Sequence, residues 1–415
     1  MLKLLEAITG LIKVCLNVVL GFFGFIFGIS LRDEHHNAGF MPIWNRIFLV
    51  NKRNSGICVN GVKQLNANRA TNTLIVGASG SGKTSVNFIP SILKTNDSFI
   101  VTDVDGDIYQ KTSGHLKRKG YDIQVINFAV VNNSESYNPL SFCNTDSDLK
   151  KLAKVIIATA FPNSRGSDTF WNAGGESILY IFLRLLHRSD PKYQNFHNLR
   201  GLLQRYSMVD SFVSANASED IWNDYLGFSS ADQKIVSGQL SSALTALDAM
   251  AEDDLVRLTS SNSLDLKKLS KGKACLFIII PEVKMMQYKF LLSILYAQIF
   301  EFFQLHKSNR KIQCFMDEFG IQKIPGFPTL INTCRRYNLS LHLAVQDIKQ
   351  INANYGVDGA SMIINGGCST KIIYPGMSLE LARDLSMALG RKSYQVKEEG
   401  RKRTTHRELL SIQEL

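Results

Sequence analysis

At 415 residues, with 45% hydrophobic and 20% charged side chains, the chain has the composition of a globular protein long enough for two or three domains. That excludes a fibrous or intrinsically disordered chain. Lys and Arg outnumber Asp and Glu by 47 to 36, a formal net charge of +11, which favours an anionic partner such as nucleic acid or lipid headgroups. The seven cysteines form no C-x-x-C pair and the eight histidines show no metal-binding spacing, so neither a disulfide framework nor a zinc site is indicated.

In chain order, Val14–Leu31 comes first: 18 residues interrupted by only two polar side chains, Asn17 and Ser30. That is the length a helix needs to cross a hydrocarbon core, and it predicts a single membrane anchor within residues 1–38. No A-x-A-like cleavage site follows, which argues against a secretory signal. Basic residues are sparser before the span (Lys3, Lys13) than after it (Arg32, Arg46, Lys52, Arg53), so the body is expected on the cytosolic side.

Thr73-Leu74-Ile75-Val76 reads as a buried strand, and it runs into Gly77-Ala78-Ser79-Gly80-Ser81-Gly82-Lys83-Thr84 followed by Ser85 and a helical pattern. The run completes G-x-x-x-x-G-K-[ST] in a strand-to-helix context, which predicts a phosphate-binding loop. Glycines let backbone N–H groups turn inward on the phosphates, and the helix N-terminus adds its positive dipole end. Lys83 is expected to reach the outer phosphates of ATP, and the Thr84 hydroxyl to coordinate magnesium.

Short apolar runs then recur at Ser98–Thr102, Ile123–Phe128, Lys273–Ile280, Gln313–Met316, Leu339–Val345 and Thr370–Tyr374, separated by helical patterns. The alternation predicts an α/β fold with a parallel sheet covered on both faces. Strands disappear between Ser147 and about Ser263, where Leu, Ala and Ser recur at helical spacing. This predicts a nucleotide-binding domain over 39–146 and 264–415, split by an all-α insertion over 147–263.

An NTPase also needs a carboxylate at the end of a neighbouring strand for the metal, and a second one to orient the attacking water. Gln313-Cys314-Phe315-Met316-Asp317-Glu318 supplies both, with Asp317 for magnesium and Glu318 for water. The helical insertion accounts for the long separation from Lys83. A GTPase N-K-x-D is missing, since Asn51-Lys52-Arg53-Asn54 lacks the Asp and precedes the phosphate loop. Val236-Ser237-Gly238-Gln239 has one glycine too few for an ABC signature and reads as ordinary helix.

With these pieces placed, the chain resembles the type IV secretion coupling proteins, the TraG/TraD-type conjugative DNA-transfer ATPases, a branch of RecA-like motors. Beyond the two acidic and phosphate-loop motifs, the resemblance rests on an ordered set of stretches. They are Asn87-Phe88-Ile89-Pro90, Thr102-Asp103-Val104-Asp105-Gly106-Asp107, Tyr137-Asn138-Pro139-Leu140, Phe170-Trp171-Asn172, Arg335-Arg336-Tyr337-Asn338, Ala344-Val345-Gln346, Tyr355-Gly356 and Asn365-Gly366-Gly367-Cys368. Three departures stand out. Asp105 takes the place of the family's usual Lys, one apolar span is present where many members have two, and the chain stops at Leu415 where relatives continue into a closing strand.

The resemblance implies a RecA-like ATPase anchored in the bacterial inner membrane and assembled as a homo-hexamer with ATP at each subunit boundary. Its expected partners are single- or double-stranded DNA, a relaxase or other DNA-bound cargo, and the components of a type IV secretion channel. It also implies Arg335, with Arg336 as the alternative, as an arginine finger for the neighbouring site, and Gln346 as the γ-phosphate sensor. Two rival readings remain open from the sequence: a channel-assembly ATPase that moves no DNA, and a membrane docking receptor whose ATP site controls oligomerisation. The basic residues Arg391-Lys392 and Arg401-Lys402-Arg403 read as a solvated face.

Overall fold

The computed structural model describes residues 38–42, 50–51, 55–59, 64–65 and 72–414, except 163, 165, 399 and 400. The apolar segment 14–31 lies outside these residues. Among the described residues, no helix is long and apolar enough to cross a membrane.

Two short strands, β1 (Val50–Asn51) and β2 (Gln64–Leu65), pair antiparallel ahead of the main sheet. The sheet contains β3 (Thr73–Val76), β4 (Ser98–Val104), β5 (Asp122–Asn127), β6 (Ala274–Ile280), β7 (Ile312–Met316), β8 (Leu339–Val345) and β9 (Thr370–Ile373). Their order is β5-β6-β4-β7-β8-β3-β9, and every pairing is parallel. All seven expected strands form, each within a few residues of its apolar run. The runs are continuous because both faces are buried. Leu276, Ile278 and Ile280 enter one core while Cys275, Phe277 and Ile279 enter the other.

After β3 the chain makes a π-helical turn, Lys83–Phe88, and continues as α1 (Ile89–Lys94). The Ile89 N–H bonds to the Thr84 carbonyl five residues back, so the helix is widened immediately before Pro90, which has no N–H to donate. Helix α2 (Asp107–Arg118) follows β4 and leads to β5.

Between β5 and β6 the described chain forms no strand, and its longer elements are the helices α3 (Asp146–Ala160), α4 (Ser167–His187), α5 (Phe196–Gln204), α6 (Asp210–Asn216), α7 (Glu219–Ser229), α8 (Gln233–Ala246), α9 (Asp253–Thr259) and α10 (Lys267–Lys271). Thr145 and Asp148 form a reciprocal capping box that starts α3. Helices α4 and α8 approach closely because glycine faces side chain across the contact: a Cβ on Gly238 would lie 2.6 Å from the Trp171 ring. The stretch Val236–Gln239 is therefore helix, and its glycine serves packing. Buried Arg184 on α4 ties the bundle together through ion pairs with Asp146 (3.3 Å), Asp224 (2.5 Å) and Asp220.

The remaining helices are α11 (Met285–Leu305), α12 (Phe327–Thr333), α13 (Ile348–Ser361) and α14 (Leu379–Leu389). Helix α11 is buried along most of its length and carries the larger core, with Tyr288, Tyr296, Phe300 and Phe303 inside it. Of the Asn365–Cys368 stretch, Asn365 and Gly366 are exposed while Gly367 and Cys368 pack inward, and the Gly367 carbonyl accepts from the buried Asn72 side chain at 3.0 Å. The chain closes with an antiparallel pair, β10 (Arg391–Glu398) and β11 (Arg401–Glu408), separate from the main sheet.

Candidate nucleotide site

The C-terminal ends of β3, β8 and β7 bring the acidic and glycine-rich motifs together. Gly77 follows β3, and its N–H donates to the Val345 carbonyl at the end of β8 (3.2 Å). The loop then needs glycine for two separate reasons. Gly80 and Gly82 adopt φ of +74° and +97°, in the left-handed region that side chains avoid. At Gly77 the obstacle is space, because a Cβ there would meet Tyr374 Cβ at 2.7 Å.

Lys83 is buried, and its Nζ donates to the carbonyls of Gly77 (2.7 Å) and Ala78 (3.0 Å) within the loop. Thr84 Oγ1 donates to Asp317 Oδ2 at 2.6 Å. Two oxygens suited to magnesium are thus already in contact across the sheet. The strands that carry them are not neighbours, contrary to the expectation from sequence: β8 lies between β3 and β7. Register decides this, since β3 pairs with β8 and β9, whereas β7 pairs with β4 and β8.

The intervening strand is followed directly by Gln346, whose Nε2 donates to Glu318 Oε1 at 3.2 Å. Glu318 takes a left-handed backbone conformation (φ +51°) at the turn that follows β7. Its other oxygen, Oε2, is buried without a hydrogen-bond partner. Such an atom is costly unless something approaches it, and a polarised water is the fitting guest. Burial raises the Glu318 carboxyl above the ordinary carboxylate range, against the Gln346 hydrogen bond that lowers it. Asp317 is likewise raised by burial, opposed by the Thr84 hydrogen bond and the Lys83 charge. The loop, the Thr84–Asp317 pair and the orphaned Glu318 oxygen together fit a magnesium–nucleoside triphosphate.

Arg335 and Arg336 lie elsewhere. Both are exposed in a short 3₁₀ turn, Cys334–Tyr337, at the opposite end of β8. The seven strand residues of β8, about 23 Å long, separate this turn from the end that lies beside the phosphate loop of the same chain. The turn is 3₁₀ and not α-helical, so the two side chains diverge by about 120°.

Asp105 also has a definite place. It adopts φ +59°, its N–H donates to the Ile280 carbonyl (3.1 Å), and its Oδ1 accepts from the Glu282 N–H (3.1 Å). The residue joins the ends of β4 and β6 through these two hydrogen bonds.

Four supporting residues escaped the sequence reading. Tyr374 packs on the phosphate loop and donates to Asn87 Oδ1 (2.7 Å), while Asn87 donates to the Cys58 carbonyl (2.6 Å). Gln350 Oε1 accepts from the Gln346 N–H (3.1 Å), fixing the turn after β8. Asp103, at the end of β4, accepts from the N–H groups of Ile108 (3.0 Å) and Tyr109 (2.7 Å). Asn87 and Asp103 lay within the Asn87–Pro90 and Thr102–Asp107 stretches of the resemblance, though without an assigned role; Tyr374 and Gln350 are single polar residues placed by tertiary contact.

Burial pushes the Asp103 carboxyl up to about 6, against those two N–H donors. Because the folded value exceeds the ordinary 3.8, the linked stability is fully present below about 3.8 and is lost as pH rises through about 6, amounting to about 3 kcal/mol at most. In nucleotide-free protein, the stability difference between the parent and Asp103→Asn should therefore fall across that window. Denaturant midpoints on both proteins check this, and a difference independent of pH assigns the titration to another group.

A family profile described as "Type IV secretory system Conjugative DNA transfer" matches residues 45–413. Among solved structures, the plasmid coupling protein TrwB in complex with the GTP analogue GDPNP aligns at 16% identity with a TM-score of 0.69, over 89% of this chain and 85% of its own. TrwB in complex with ADP and Mg2+ aligns equally well, over 92% and 88%. VirB4 of Thermoanaerobacter pseudethanolicus aligns at 13% identity with a TM-score of 0.51, over 81% and 88%. No curated protein sequence matches. The structural likenesses establish a shared fold at low identity, and the profile spans almost the whole described chain: the chain belongs to the conjugative DNA-transfer family of type IV secretory systems.

Proposed function

We propose that this protein is a membrane-anchored ATPase that couples ATP hydrolysis to delivery of DNA, or of a DNA-bound protein such as a relaxase, into a type IV secretion channel. The single observation that carries the hydrolytic part is Glu318, with one carboxylate oxygen held by Gln346 and the other unpartnered beside the Thr84–Asp317 pair. Bound magnesium–ATP supplies the phosphoanhydride to be cleaved and the charge that the site must meet. Lys83 exchanges its loop carbonyls for phosphate oxygens, and Thr84 and Asp317 hold the metal side. Glu318 orients water and accepts its proton, made a better base by burial.

Strand β8 gives the reading a second support. Gln346 at one end touches the catalytic carboxylate, and Arg335 at the other end is exposed and too distant to serve its own site. In a ring of six, Arg335 reaches the neighbour's phosphates, and β8 joins the two sites as one rigid element. Residues 1–38 anchor the ring in the bacterial inner membrane with the body in the cytosol. The nucleotide domain over 39–146 and 264–415 powers transfer, and the helical insertion over 147–263 selects cargo.

DNA-stimulated turnover tests the motor reading. With the full chain assembled in vesicles, saturating single- or double-stranded DNA should raise ATP turnover severalfold, with Glu318→Gln giving the zero line. Turnover indifferent to both forms of DNA in demonstrated rings points instead to the docking receptor.

A further inference from the structure

The β10–β11 ribbon is unlike the rest of the molecule. Across 391–408 it carries seven Lys or Arg against three Glu. Besides the opposite-charge pairs Arg391–Glu408 and Glu398–Arg401, the register sets like charges opposite each other, Lys392 across from Arg407 and Lys397 across from Lys402. Such pairs destabilise a sheet, and an isolated two-stranded ribbon is marginal in water to begin with. At its described positions the ribbon has little apolar surface to bury: Arg391, Lys392, Thr404, Thr405, His406, Arg407 and Glu408 are all exposed. Tyr394 lies between the cations, with Lys392 Nζ 5.6 Å and the Arg407 guanidinium 5.2 Å from its ring centroid. Glu414 offsets Arg407 at 3.3 Å.

The base of the ribbon is clamped. Leu409 N–H donates to the Gly390 carbonyl (2.9 Å), and Ser386 Oγ donates to the Leu410 carbonyl (2.7 Å). The Ala38 N–H donates to the Arg391 carbonyl at 3.0 Å. That last bond ties the ribbon to the segment leaving the N-terminal apolar stretch. Ala38 is seven residues beyond Leu31, a reach of at most about 25 Å. Eight strand residues extend about 27 Å, so the ribbon is long enough to bridge the same gap.

We infer that the β10–β11 ribbon is a docking surface for anionic lipid headgroups beside the point where the chain enters the membrane. The inference rests on the reading of residues 14–31 as the anchor. The alternative anion, nucleic acid, has no comparable tether: the hydrogen bond to Ala38 holds the ribbon at the membrane-proximal end of the chain. Lipid phosphates relieve the repulsion between opposed cations, each worth roughly fivefold in partition near an anionic surface. Tyr394 suits an interfacial position, with an apolar ring and a polar tip.

The test uses the full chain in vesicles of phosphatidylcholine, with and without one-third phosphatidylglycerol, and follows amide hydrogen exchange of 391–408. Phosphatidylglycerol should slow this exchange roughly tenfold or more, and high salt should reverse the effect. Lys392→Gln/Lys397→Gln/Lys402→Gln should lose the protection. The corresponding Arg replacements should keep it, with exchange in the main sheet as the control for folding. Equal exchange in both lipids overturns the inference, as does protection by a single-stranded oligonucleotide in phosphatidylcholine without any from phosphatidylglycerol. Resistance to alkaline extraction reports on the anchor separately. If the chain is extracted, the anchor reading fails and the argument from Ala38 fails with it; if the chain resists extraction and phosphatidylglycerol gives no protection, the inference alone fails.

Discussion

Glu318→Gln should bind ATP as tightly as the parent and hydrolyse it roughly 10²–10⁴-fold more slowly, the range that a lost general base accounts for. The amide keeps the shape and can still meet Gln346, but it cannot take a proton from water. Lys83→Ala should fail one step earlier. Its ammonium is buried on the Gly77 and Ala78 carbonyls, ready to exchange them for phosphate oxygens, and charge-assisted hydrogen bonds of that kind are worth about 2–3 kcal/mol, roughly 10²-fold in affinity. Calorimetric titration with a slowly hydrolysed ATP analogue separates the two variants. Parent-like affinity in Lys83→Ala would remove the phosphate site from this loop, and parent-like turnover in Glu318→Gln would move the base elsewhere.

Arg335→Ala should lower turnover by about 10³ or more while leaving the chain's own site intact, because the residue lies at the far end of β8. A finger acting between subunits has a signature that a residue acting in its own site cannot mimic. Rings mixed from Arg335→Ala and Glu318→Gln subunits should regain partial activity, since a Glu318→Gln subunit donates its intact Arg335 to a neighbour that retains Glu318. Arg336→Ala should be mild, as the 3₁₀ turn sends the two side chains about 120° apart. Co-assembled mixtures that recover nothing, with a severe Arg336→Ala defect, would transfer the role to Arg336.

Sequence alone determined what depends on local pattern. The seven strands of the sheet were legible because each is a continuous apolar run, as a strand covered on both faces must be, and the stretch between β5 and β6 was legible from helical spacing. The phosphate loop was legible for a steric reason, since the left-handed backbone at positions 80 and 82 favours glycine and the contact at 77 leaves no room for a Cβ. Tertiary structure decided what depends on which segments meet. Nothing in the run Leu339–Val345 says that it separates β3 from β7, yet that insertion is what carries Gln346 to Glu318 and sends Arg335 to the opposite edge. The basic residues near the C-terminus likewise read as an ordinary solvated face until the strand register opposed them and a backbone hydrogen bond joined them to Ala38. Periodicity records whether a side chain faces a core; the order of strands and the company of polar groups are set by packing between residues hundreds of positions apart, which no local pattern encodes.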